Sequence, residues 1–282
     1  MRWLAVVGAL AGCGRIGFAP VTAAAPWEGD FTLEPPQAVG TLNSAAFESE
    51  CFVTADGLTM FFASARPGGL GMHDVYSASR SALDAAFGSV VHHPELSTVD
   101  QDGRYVTFDG VHAYLWSSRA GGLGGTDIWE VSPATVDLIA LNTAGFEYDP
   151  WPSADGLRLY YDYQGDIAVT ERASIDEVFG PPRVLAELAT PDFEDNPAVS
   201  ADERFLVFSS TRASGLGGRD IYFARRPDRD AAFSAPVLLP VVNTAFDDYE
   251  ACITEGGELY FSSNRPGGAG DDDIYRAPFV PL

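Results

Sequence analysis

The sequence predicts an all-β fold, a single five-bladed β-propeller of four-stranded antiparallel blades. Three observations predict it. A Gly-rich motif returns along the 282 residues, apolar runs are short and separated by Asp-Gly turns, and strong helical periodicity is absent. The clearest copy of the motif runs from Ser262 to Tyr275 as Ser-Ser-Asn-Arg-Pro-Gly-Gly-Ala-Gly-Asp-Asp-Asp-Ile-Tyr. The same pattern joins Arg66 to Asp74, Arg119 to Asp127, Arg212 to Asp220 and Arg265 to Asp273, each Arg eight residues before its Asp. A shortened fifth copy ends at Asp166, where Tyr163-Gln164-Gly165 leads straight into the Asp and the Arg-Pro-Gly-Gly loop is missing. The five Asp are spaced by 53, 39, 54 and 53 residues, and the missing loop accounts for the short interval.

Each unit divides into four pieces. The first strand opens after an acidic cluster, as in Glu50-Cys51-Phe52-Val53 or Asn196-Pro197-Ala198-Val199. It closes in a turn such as Thr54-Ala55-Asp56-Gly57 or Ser153-Ala154-Asp155-Gly156, and Asp-Gly between apolar runs is a hairpin signal. A second strand follows, the third begins at the motif Asp, and the fourth is a short segment after Phe87, Phe179 or Phe233. Four antiparallel strands in about 40–50 residues describe a propeller blade. The last unit ends before a fourth strand, and Phe31 to Val39 resembles the fourth strand that begins at Phe233. An N-terminal strand is therefore expected to close the last blade and remove both exposed edges.

Three regions are expected: a signal peptide over 1–12, a lipidated Cys and flexible tether over 13–30, and the propeller over 31–282. Arg2, the apolar run Trp3 to Leu10 and then Leu10-Ala11-Gly12-Cys13 resemble a bacterial lipobox. The resemblance implies a diacylglyceryl group on Cys13 and a place in the cell envelope, anchored to the outer membrane through lipid alone. The blade pattern, Ser-x-Asp-Gly then Leu-x-Phe-x-Ser-x-Arg-x-Gly-Gly-x-Gly then Asp-Ile-Tyr, resembles the WD-like repeats of TolB-type propellers from Phe31 onward. That resemblance implies a protein partner near the outer membrane or peptidoglycan. TolB-type propellers typically have six blades and an extra N-terminal domain, whereas five units are visible here.

Charge narrows the partners. Lys plus Arg total 17 against 40 Asp plus Glu, a net charge of −23, which repels nucleic acid and favours a soluble monomer. A hydrophobic content of 46% excludes a disordered chain.

The motif residues Arg66, Asp74, Arg119, Asp127, Asp166, Arg212, Asp220, Arg265 and Asp273 read as structural. Each Asp is expected to accept N–H groups of its Gly-rich loop, with the Arg bridging to it. The acidic openings carry more chemistry. Asn43, Asn142 and Asn243 stand seven residues before Glu50, Asp149 and Glu250, and unit four has Asn196 at the acid's position. First strands line a propeller's channel, so Glu50, Asp149, Asn196 and Glu250 are expected to converge at one mouth, with Trp151 beside them as an aromatic contact. Convergent carboxylates raise one another's pKa or recruit a cation. No ligand set for a metal and no cofactor motif is recognisable; Asp271-Asp272-Asp273 fits no EF-hand spacing. Cys51 opens the first strand of unit one and Cys252 lies one position further along in that of unit five, neighbours in a closed ring, and the two are either a disulfide or two buried thiols.

There is no Gly-x-Ser-x-Gly elbow and no His-Glu-x-x-His. The chain is therefore expected to have no catalytic residues, to be no enzyme, and to act as an envelope-anchored binding scaffold for a protein partner. The alternative is a carbohydrate-binding or glycoside-processing propeller that uses paired carboxylates at the mouth, with Phe146, Tyr148 and Trp151 nearby.

Overall fold

The computed structural model describes residues 25–132 and 135–282. Cys13, the signal segment and most of the expected tether lie outside the described residues.

Five sheets follow one another along the chain. The first blade contains Glu48–Val53, Thr59–Ser64, Asp74–Ser79 and Val91–His92, each strand antiparallel to the next. The first strands of the other blades are Asp102–Thr107, Glu147–Pro152, Glu194–Val199 and Asp248–Ile253. The third strand of every blade starts at its motif Asp. The fourth strands are shorter than expected, only Arg183–Val184 in blade three and Val237–Leu238 in blade four. Blade five is closed by the N-terminus: Phe31–Leu33 and Gln37–Ala38 both pair with Asp273–Pro281. The two short strands flank Pro35-Pro36, whose missing N–H groups break the ladder.

The packed region reaches upstream of Phe31. Trp27, placed in the tether from sequence, is buried, stacked on Phe205 at 5.3 Å and edge-on to Phe279 at 5.4 Å. Aromatic rings also fill the spaces between neighbouring blades, as where Phe87 of blade one meets Tyr260 of blade five at 6.1 Å.

The repeat is held by two devices. Each long-loop motif Asp accepts backbone N–H bonds from its own Gly-rich loop: Asp74 from Leu70, Asp127 from Leu123, Asp220 from Leu216 and Asp273 from Ala269. The motif Arg, however, does not bridge to that Asp. It pairs with the acid that opens the first strand of its blade: Arg66 with Glu48 (3.1 Å), Arg119 with Asp102 (2.6 Å), Arg212 with Glu194 (3.1 Å) and Arg265 with Asp248. The reason is reach. Nε of each Arg binds the Ser at the end of the second strand, and this directs the guanidinium inward toward the first strand. The fork also covers aromatic rings; Arg212, for example, lies 5.2 Å from Phe208 and 4.8 Å from Tyr222. Blade three has neither Arg nor long loop, and Asp166 accordingly lacks this cradle.

Asn43, Asn142 and Asn243 clasp neighbouring blades. Each side chain accepts from and donates to the backbone of one Ile in the third strand of the preceding blade: Ile274, Ile128 and Ile221. Cys51 and Cys252 form a disulfide across the closing junction, with their Cα atoms 5.9 Å apart.

Candidate functional site

All five first strands begin with the same local chemistry. A Ser or Thr four residues before the opening acid gives that acid its backbone N–H and its hydroxyl: Ser44 to Glu48, Thr98 to Asp102, Thr143 to Glu147, Thr190 to Glu194 and Thr244 to Asp248. Two residues further on, each strand carries a β-bulge. The bulge residues are Glu50, Arg104, Asp149, Asn196 and Glu250. Four have left-handed backbone, with φ of 57° at Glu50, 54° at Asp149, 53° at Asn196 and 52° at Glu250. Asn and Asp tolerate that region, whereas Glu adopts it at a cost of about 1–3 kcal/mol. The strained bulge turns each of these side chains to the channel mouth.

The expected convergence of Glu50, Asp149, Asn196 and Glu250 is thus present. These four, with Trp116, Phe146, Tyr148, Asp162, Phe193, Asp195 and Arg219, line a cavity of about 720 Å³. The Glu50 backbone N–H donates to Glu250 Oε2 at 3.1 Å. Glu50 Oε2 accepts from the Arg104 backbone N–H at 2.5 Å and from Trp116 Nε1 at 2.9 Å. Arg104 occupies the fifth position fully buried, its Nε 3.7 Å from Asp149 Oδ1 and its Nη1 donating to the Pro197 carbonyl at 3.2 Å. Arg219 reaches in from blade four's loop, 3.2 Å from Asp195 and over the Tyr249 ring.

Trp151 does not belong to the mouth. It is buried, donates Nε1–H to the Val199 carbonyl at 2.9 Å, and lies at the opposite end of the channel in a small apolar recess with Phe52, Phe108 and Ile253. The bulge between Tyr148 and Trp151 is the cause, because it breaks the strand's alternation between the two residues. The aromatic wall of the mouth comes from elsewhere. Trp116 meets Tyr148 edge-on at 5.1 Å, and Tyr148 stacks with Phe146 at 6.0 Å and 4°.

Burial dominates the electrostatics. It pushes Glu250 up to about 8, reinforced by Asp149 and opposed by Arg219 and Arg104. Glu50 is raised well above the usual carboxylate range by burial and then by Glu250 and Asp149. Burial also raises Asp149, but Arg104, Arg219 and the hydrogen bonds of Asn196 pull the other way. Asp162 is lifted to about 8 by burial and by Asp195, and Asp195 to about 6 by burial against the pull of Arg219. The cluster therefore holds protonated and ionised carboxyls side by side near neutral pH, the arrangement that acid–base chemistry on a neutral substrate requires.

Sequence reasoning missed Arg104 because no acidic-Pro opening is visible in unit two. A register was nevertheless available: Thr98 and Asp102 repeat the Ser/Thr-to-acid spacing of the other four units, and two residues on stands Arg104.

No protein-family model and no curated protein matches the sequence significantly. Solved structures do match its fold. An arabinanase from Bacillus subtilis superposes with a TM-score of 0.57 at 12% identity, over 85% of this chain and 96% of that one. An α-L-arabinofuranosidase from Lactobacillus brevis gives 0.51 at 14% identity, over 88% and 92%. A protein from Agrobacterium tumefaciens described as a TolB gives 0.49 at 17% identity, over 90% and 100%. The first two superpositions show a shared fold. The expectation that the chain is no enzyme is corrected: the first two structures that share its fold are glycoside-cleaving enzymes, so the fold is one that carries catalysis in other proteins. The lack of a contiguous catalytic motif does not decide the matter, for a physical reason. The carboxyls come from blades far apart in sequence, so no contiguous motif announces them.

Proposed function

We propose that this chain is a glycoside-processing propeller that takes a saccharide at its acidic mouth. The observation that carries the reading is the placement of Glu50, Asp149 and Glu250 on one strained bulge position of three blades, all facing one cavity with an aromatic wall. Glycoside cleavage needs one carboxylic acid to protonate the leaving oxygen and one carboxylate to assist attack at the anomeric carbon. Glu250, held protonated, takes the first role. Asp149, beside Arg104 and bonded by Asn196, takes the second. Glu50 is held by Trp116 Nε1 and the Arg104 N–H, while burial and then the neighbouring Asp149 keep the proton on Glu250. The fold comparisons support this reading over a protein-binding scaffold.

An envelope location remains part of the proposal. Pro26 packs against Gly257 in the hairpin turn at the far end of the channel, so the chain enters on the face opposite the acidic mouth. A lipid on Cys13 would leave the mouth open to solvent.

The test is a hydrolysis screen of the purified chain on aryl glycosides and on arabinan and xylan. Turnover that Glu250→Gln lowers by about a hundredfold or more, with melting unchanged, is the expected result. Binding and turnover absent across the panel, or turnover indifferent to Glu250→Gln, would overturn the assignment.

A further inference from the structure

The mouth is not symmetric, and its asymmetry bears on substrate length. In blades one, two, four and five the Gly-rich loop reaches over the junction to the next blade. Gly71, Gly124, Gly217 and Gly270 lie so close to the backbone carbonyls of Asp100, Gly145, Phe246 and Ala46 that a Cβ would collide with them. Four of the five junctions are therefore roofed. Blade three has only the tight turn at Gln164 and Gly165, with φ of 59° and 95°. Its junction with blade four is unroofed, and the cavity runs out over that turn.

Two aromatic rings flank the opening. Phe146 precedes the first strand of blade three and Phe193 precedes that of blade four; they are 51% and 60% exposed and both line the cavity. Phe146 ends the aromatic strip that begins at Trp116, the residue that donates to Glu50. The aromatic strip thus leads from the carboxyls to the rim beside the blade-two loop, and Phe193, whose ring lies against Gly165, stands at the unroofed junction itself, both lining the one cavity.

Building on the glycoside reading, we propose that this gap is an extension groove for a linear polysaccharide, with Phe146 and Phe193 as stacking platforms for sugar units beyond the one at the carboxyls. A pocket roofed on all sides would accept only a chain end. A groove open on one side accepts several consecutive units, and each added ring gains an apolar face to stack on.

The experiment is calorimetric binding of linear arabino- and xylo-oligosaccharides of increasing length to the Glu250→Gln chain, which removes turnover. Affinity should rise with length in one series. The ratio of affinity between long and short members should fall about tenfold, or ~1.4 kcal/mol, when Phe146→Ala and Phe193→Ala are added. A second variant replaces Gln164-Gly165 with the blade-four loop, residues 211–218, to roof the gap, and should abolish the length dependence. Equal affinity at every length, or a length dependence that both variants leave intact, would overturn the groove while leaving the glycoside reading standing. Binding of no sugar at any length would overturn both.

Discussion

Removing Arg212 should expose how much the blade depends on its buried ion pair. Arg212 donates to Ser210 Oγ at 2.9 Å, to the Leu188 carbonyl at 2.8 Å and to Glu194 at 3.1 Å. Glu194 is fully buried. Breaking such a pair from one side costs about 3–5 kcal/mol, because a charge is left without its partner in a poorly solvated site. Here the lower end applies, since Glu194 keeps three donors: the Thr190 N–H, the Thr190 hydroxyl and the Ser210 hydroxyl. Arg212→Ala should therefore cost roughly 3 kcal/mol and lower the melting midpoint by about 6–12 °C. Adding Glu194→Gln removes the orphaned charge and should restore about half of the loss. Blade three supplies an internal control. Glu147 occupies the same position as Glu194, accepts from Thr143 in the same way, and has no Arg partner among the described residues. Glu147→Gln should then change stability by less than about 1 kcal/mol. Scanning calorimetry with urea titration measures these three variants and Glu194→Gln alone. A loss below about 1 kcal/mol for Arg212→Ala, or full additivity in the double variant, would refute the idea that Arg and opening acid act as one unit.

Two further outcomes follow from the mouth and the ring closure. Glu250 has its pKa raised to about 8 in the folded chain against an ordinary value of about 4.3, so folding takes up a proton across that window. Its contribution is favourable at the acid end and is lost as pH rises toward 8. The stability gap between Glu250→Gln and the wild type should therefore widen in the variant's favour as pH increases, measured by urea unfolding at pH values across the window; a gap that narrows contradicts the buried, protonated Glu250. The Cys51–Cys252 disulfide joins strands 201 residues apart. Replacing both by Ser should cost about 2–5 kcal/mol and make melting insensitive to reductant; a midpoint equal to that of the oxidised wild type would deny the staple any role.

The blade count, the N-terminal closing strand and the meeting of Glu50, Asp149, Asn196 and Glu250 were legible in the sequence because each rests on a repeat. A residue at the same place in several units must occupy the same place in several blades, and the ring then brings those places together. What the repeat does not encode was misread. The partner of Arg66 or Arg212 depends on a χ-angle path set by a neighbouring Ser, which spacing along the chain cannot reveal. Trp151 stands two residues from Asp149 yet faces the other end of the channel, because a bulge adds a residue to the strand and no local signal marks its turn. Arg104 was hidden by its own chemistry: a cation where the other units carry acids or an amide does not look like a copy of them. Yet it is the odd member that makes the mouth workable. Carboxyls Glu50, Asp149 and Glu250 crowd one another in a buried ring, and a fourth acid in place of Arg104 would push their pKa values higher still. One guanidinium beside Asp149 lets that carboxyl compete for charge while Glu250 keeps its proton. The break in the repeat at blade two sets the charge pattern of the mouth, and the break at blade three sets its opening. Both departures from the five-fold pattern fall at the mouth, where an otherwise repeating architecture acquires chemical direction.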